Sequence, residues 1–267
     1  MRKKPLLALF TLAFLMASVS CKKTTVDTNT QTATDNYLCE GEFMRILPAV
    51  NSIAVKTEGD GVKRISSAHY PTVTVTDTVK YPGWPRTMTI NYGPGVADSS
   101  DGRTRSGIIT VSFSNYWHRP GTTATVTYTG YSVNNISYVG GVTLYRNTDT
   151  TFTVTVTGAI CKTANWNITF GASRVFTWVQ GRGDTVAAHS LFSITGTSNG
   201  MDRNQVNYTA AVSKALVRSS GCGYITSGTI EITPAGLSKR TVDFGNGNCD
   251  NSATVTIDGN SYTLTLQ

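Results

Sequence analysis

The sequence predicts an all-β fold, an antiparallel meander forming a two-layer sandwich or an elongated twisted sheet, with one short N-terminal helix. Three observations predict it. Apolar and hydroxylated residues alternate with a period of two, as in Val73 and Val75 between Thr72, Thr74 and Thr76, or Phe152, Val154 and Val156 between Thr151, Thr153, Thr155 and Thr157. Such alternation marks strands buried on one face. Gly, Asn, Asp and Pro clusters divide these runs at hairpin spacing. A single stretch, finally, carries apolar residues at helical spacing. The 267 residues suffice for one large β domain, and 15% charged residues with 39% hydrophobic ones exclude a disordered tail.

Residues 1–20 read as a signal peptide. Arg2, Lys3 and Lys4 precede an apolar run from Pro5 to Ala17, which is shorter than the ~20 residues a membrane-crossing helix needs. Ser18-Val19-Ser20-Cys21 then resembles a bacterial lipobox, with Ser18 and Val19 in place of the commoner Leu and Ala. That resemblance implies cleavage before Cys21, thioether lipidation of its sulfur and palmitate-type acylation of the new amino group. Acyl chains contribute about 0.8 kcal/mol per buried methylene, so the expected partner is a membrane held through lipid. The formal charge of +7 falls to +4 without Arg2, Lys3 and Lys4, and no basic cluster remains, so no nucleic acid is expected.

Residues 21–36 are polar and Thr-rich, without apolar periodicity, and predict a lipidated flexible tether. Within residues 37–57, Cys39, Phe43, Ile46, Leu47, Val50 and Ile53 fall on one helical stripe, with Pro48 expected to kink it or to mark the start of a second piece. Residues 58–267 form the β body. It contains an apparent duplication: the segment from Arg86 to Asp98 resembles that from Arg240 to Asp250, each flanked by strands, which predicts a three-strand module with a glycine bend used at about 70–115 and 222–260.

At these residues the chain resembles a family of Bacteroidota lipoproteins of unknown function. Arg86–Gly93, Asp101–Ile109, Val217–Cys222, Gly228–Pro234 and Cys249–Ile257 carry the resemblance, which spans most of the mature chain. It implies a Gram-negative, outer-membrane lipoprotein of β structure and supplies no activity. The periplasmic face is favoured over the cell surface, because no acidic cluster follows Cys21; surface display stays open. Asp77-Thr78-Val79 and Asp184-Thr185-Val186 resemble the O-glycan acceptors of such exported proteins, making Thr78 and Thr185 candidate modification sites.

With Cys21 acylated, Cys39, Cys161, Cys222 and Cys249 remain, an even number that suits an oxidising compartment. Cys222 and Cys249 bracket a turn near Pro234, so a hairpin brings them together. Their numbers sum to an odd value while the inward pairs Ile230, Ile232, Val242 and Phe244 require an even one. One bulge, at Gly228, Gly245 or Gly247, repairs the register. A bond between Cys39 and Cys161 stays open.

No nucleophile elbow, zinc-protease motif or phosphate loop is present, and His69, His118 and His189 lie on separate segments. Asp98 with Asp101, and Asp243 with Asp250, are the carboxylate pairs available for acid–base work, but they lie in turns where Asp bonds its own backbone. Asn246, Asn248 and Asp250 alternate as in calcium loops without the closing Glu. No enzyme, cofactor or metal is therefore expected. Parity places Trp117 and Trp166 in the core, with Trp178 buried as well, and leaves Trp84 and Tyr116 as the candidate ligand-binding platforms for a glycan. Arg182-Gly183-Asp184 is an integrin-type tripeptide of the kind that arises by chance. The reading that follows is a lipid-anchored envelope protein with a structural or interaction role toward a protein or glycan, or alternatively a carbohydrate-binding module.

Overall fold

Fourteen strands follow one another around a single antiparallel sheet whose spatial order is the order of the chain. The computed structural model describes residues 27–57, 63–65, 71–77, 85–97, 101–182 and 189–266. Cys21, Thr78, Trp84, Asp98 and Thr185 lie outside the described residues. Two helices come first, α1 (Gln31–Phe43) and α2 (Ile46–Thr57). The strands are β1 (Lys63–Ile65), β2 (Thr72–Asp77), β3 (Arg86–Ala97), β4 (Thr104–Phe113), β5 (Thr123–Val133), β6 (Ile136–Arg146) and β7 (Thr151–Lys162). They continue as β8 (Asn167–Gln180), β9 (Leu191–Met201), β10 (Asn207–Ser219), β11 (Ser227–Pro234), β12 (Arg240–Asn246), β13 (Ser252–Ile257) and β14 (Asn260–Thr265).

Of the two arrangements the alternation leaves open, this is the single continuous sheet. A sheet of this width must curl or split, and it curls around α1. Thr32, Ala33 and every residue from Asp35 to Phe43 are buried. A helix covered on all sides is an interior helix. Its side chains meet strands far apart in the order: Cys39 bonds Cys161 on β7, Tyr37 lies 5.8 Å from Phe244 on β12, and Phe43 stacks on Phe170 of β8 at 6.0 Å while its edges meet Tyr128 and Tyr138. Among the described residues β1 and β14 do not pair, so the sheet has two edges and is no closed barrel.

One boundary differs from expectation. The segment expected to be a tether to residue 36 turns helical at Gln31 and is buried at Thr32, Ala33, Asp35 and Asn36. Polarity misled there because the polar side chains have polar partners in the sheet: Thr32 donates to Asp202 at 2.9 Å, and Ser198 donates to Asn36 at 3.1 Å. Of the two outcomes expected at Pro48, the structure shows the start of a second piece: the helix breaks at Met44 and Arg45, and α2 begins at Ile46. A proline ring clashes with the carbonyl four residues back, which for Pro48 is that of Met44. Pro48 itself then sits in the first turn of α2, where a missing N–H costs nothing.

The inner face follows the predicted parity. Trp117 is buried, and its Nε1 donates to Asn51 of α2 at 3.1 Å. Cys222 and Cys249 are paired, with Cα atoms 5.8 Å apart, and Cys39 pairs with Cys161 at 6.4 Å. The register of β11 on β12 shifts between Ser227 and Thr229, placing the repairing bulge at Gly228. Gly228 has φ 101°, and a Cβ there would collide with the Ala215 carbonyl, so glycine is required on both grounds. The two segments that resemble each other take the same local form. Arg86 opens the middle strand of β2–β3–β4 and faces Asp77 and Phe113; Arg240 opens that of β11–β12–β13 and faces Ile232 and Ile257.

Candidate functional site

The outward side chains of the described strands build a continuous hydroxylated face. Thr is β-branched and polar, so it favours strands and their solvent side, and the register stacks these residues side by side. One cross-strand row runs Thr76, Thr87, Ser112, Thr125, Thr143, Thr155, Ser173 and Thr197 on β2 to β9. It continues through Ala211, Glu231, Thr241, Thr256 and Ser261 to β14. Apart from Ala211 and Glu231 every position bears a hydroxyl, and none is buried. At roughly 4.8 Å per strand the row is on the order of 57 Å long. A second, shorter row joins Thr74, Thr89, Thr110, Thr127 and Thr157, interrupted by Gly141.

Across β8 to β11 the row dips into a depression of about 650 Å³, lined by Ser173, Thr197, Asn199, Thr209, Glu231 and Thr233. Its floor is low because Gly171 and Ala211 bring almost no side chain. Hydroxyls both donate and accept, so this face can hydrogen-bond a polar polymer or protein surface. Thr needs an adjacent base to act as a nucleophile; His118 lies exposed beyond the end of β4, away from this face.

Behind the row, the inner face holds what sequence reasoning missed. Arg86, Arg103, Arg105, Arg146, Arg174, Arg218 and Arg240 are buried, and the carboxylates they meet come mostly from the N-terminal segment. Arg174 on β8 grips Glu40 with two bonds of 2.8 and 2.7 Å and a third, of 3.0 Å, reaches Ser198. Arg240 on β12 reaches Asp27 at 2.9 Å, and Arg203 reaches Asp35 at 2.6 Å. Arg105 on β4 binds Glu42 at 3.1 Å and Asp101 at 2.7 Å; Tyr131 donates to Glu42, and Arg45 also pairs with Asp101. The signal was present in the sequence: Arg174 shares parity with Ala172 and Phe176, and Arg240 with Val242 and Phe244.

The candidate acid–base residues do other work. Asp101 is half-buried with its carboxylate covered, and it accepts from Arg105 and from the Arg103 amide. Burial alone would raise its pKa, but the Arg105 and Arg45 guanidiniums overcome that and hold it down at about 2, ionised rather than poised to exchange a proton. The same balance lowers Glu42, where burial is opposed by Arg105 and Arg45. Asp243 and Asp250 are exposed and accept from the Gly245 and Ser252 amides at 2.8 and 3.0 Å, as turn residues do. Among the described residues no group of three or more His, Cys, Asp or Glu is arranged to hold a metal.

Of the two aromatic platforms, Trp84 lies outside the described residues. Tyr116 is half-buried, with the Arg119 guanidinium 4.9 Å above its ring and the His118 ring 5.6 Å away, so its own chain covers it. Trp166 is half-buried under Arg203, at 4.2 Å, rather than in the core. Trp178 is half-buried as well, stacked 5.7 Å from Phe192. Arg182 is exposed and paired with Asp149 at 2.9 Å, while the rest of its tripeptide lies outside the described residues. No helix among the described residues is long and apolar enough to cross a membrane. Comparison with protein-family models, curated proteins and solved structures finds no match for this chain.

Proposed function

We propose that this chain is a lipid-anchored, non-catalytic protein of the outer membrane whose hydroxylated sheet face meets a partner in the envelope. The observation that carries the reading is the hydroxyl row from Thr76 to Ser261: a long, hydrogen-bonding surface with a single charged member, Glu231, fits extended contact better than it fits chemistry. The paired cysteines suit an oxidising compartment, and the interior is filled by α1, which leaves the outer face to do the binding. Anchoring through Cys21 predicts that palmitate labels the native protein and that Cys21→Ala abolishes the label and releases the chain from membranes.

The contact reading is tested by photo-reactive residues placed singly at Thr143 and Thr155 in the native envelope. Both should give the same discrete adduct, and an equivalent residue at His118, off the face, should give none; adducts that are absent, or identical at all three positions, overturn it. A carbohydrate-binding module is the second reading, favoured by the depression over β8 to β11, whose size and Ser, Thr and Asn lining suit sugar hydroxyls. Retardation in polysaccharide gels that is lost on Asn199→Leu would select it, and unretarded migration in every polysaccharide would remove it.

A further inference from the structure

Where α1 gives way to α2, four guanidiniums gather. Arg45, Arg103, Arg105 and Arg218 converge there, and among the described residues they face two carboxylates, Glu42 and Asp101. Arg105 and Arg45 take the close contacts with those carboxylates, and Arg103 stands off at 3.9 and 3.7 Å. Nothing of that kind is left for Arg218. It is 2% exposed, and its bonds are long ones to main-chain carbonyls, 3.3 Å to Gly41 and 3.4 Å to Gly223. No carboxylate of the described residues lies within ion-pair range of it. Burial, reinforced by Arg45 and Arg103, pulls its pKa down to about 10, so it still carries its charge at neutral pH.

A buried cation lacking a counter-ion costs several kcal/mol, and beside this one lies an open space. A pocket of about 120 Å³ is bounded by Arg45 and Arg218, by the first turns of α2 at Ala49 and Ser52, and by Ser219 and Ser220 after β10. That is the volume of about four waters, room for a tetrahedral oxyanion. The Cys222–Cys249 bond fixes the loop that forms its far wall.

We propose that this pocket is a binding site for a phosphate group, free or carried on a larger molecule, held between the guanidiniums of Arg218 and Arg45 with serine hydroxyls completing its shell. Paired guanidinium donors suit the oxygens of a phosphate. The site is separate from the hydroxyl row and does not depend on what that row contacts.

The test is calorimetric titration of the full chain, purified without phosphate, with inorganic phosphate against sodium chloride of equal ionic strength. The expected result is saturable binding of one phosphate per chain with Kd below about 1 mM. Arg218→Gln should weaken it at least about tenfold. Because that variant alters a buried residue, Ser52→Asp provides a second one: Ser52 is half-buried at the pocket, and a carboxylate there should occupy the site from within and abolish binding. Glycerol phosphate binding more tightly than inorganic phosphate would identify a carried group, and the reverse a free ion. Absence of saturable binding of either probe up to about 50 mM, or an unchanged Kd in Ser52→Asp, would overturn the proposal.

Discussion

Arg174 carries a charge into the centre of the molecule and meets Glu40 there in a two-bond clasp. A buried pair of this kind contributes little net stability, because desolvation consumes most of the attraction, yet removing one partner strands the other. Arg174→Met should therefore destabilise the chain by about 3–5 kcal/mol in urea unfolding, and the double variant Arg174→Met with Glu40→Leu should recover most of that loss. Asp101 makes a pH statement at the same scale. Its pKa falls from an ordinary 3.8 to about 2 on folding, so its contribution is complete above pH ~4 and disappears as pH falls toward 2. The shift is worth about 2 kcal/mol. The urea midpoint should drop on acidification from pH 5 to pH 2, more steeply in the parent than in Asp101→Asn.

At the scale of elements, α1 is the part the sequence disguised and the strands are the part it displayed. Period-two alternation exposes a strand's buried face directly, and parity called for one bulge at Gly228, Gly245 or Gly247, of which the register takes Gly228. Gln31 to Asn36 offered no such pattern, because a helix enclosed on all sides by a partly charged surface needs no apolar stripe. The partners of its buried polar side chains include residues far along the chain, as with Thr32 and Asp202 or Asn36 and Ser198. Enclosure predicts that amides of α1 are among the slowest to exchange with solvent. The disulfides differ in reach: Cys39–Cys161 spans 122 residues and Cys222–Cys249 spans 27. Loop entropy then predicts losses of about 5 and about 3.5 kcal/mol respectively when each pair is replaced by serine, measurable as the order of their denaturant midpoints.

For the whole molecule, the curled sheet turns an ordinary strand preference into a surface. Each Thr in the row is a routine outward residue, and its sequence neighbours do not reveal that Thr155 stands beside Thr143 and Ser173. Register supplies that knowledge, which is why the Thr-rich face was legible and its continuity was not. Tyr116 carries the Arg119 guanidinium 4.9 Å from its ring, a contact that its place in the sequence did not announce. Right-handed twist bends a row of this length away from a plane, so it suits a partner that wraps or follows the curve rather than a flat lattice.

The central claim is that this face is covered in the envelope. Single cysteines at Thr143 and Thr155, and at His118 as an off-face reference, can be alkylated by a polar maleimide both in permeabilised envelopes and in the purified protein. The account predicts that labelling at 143 and 155 slows by about tenfold or more in the envelope while 118 reacts equally in both settings; equal rates at all three positions would contradict it.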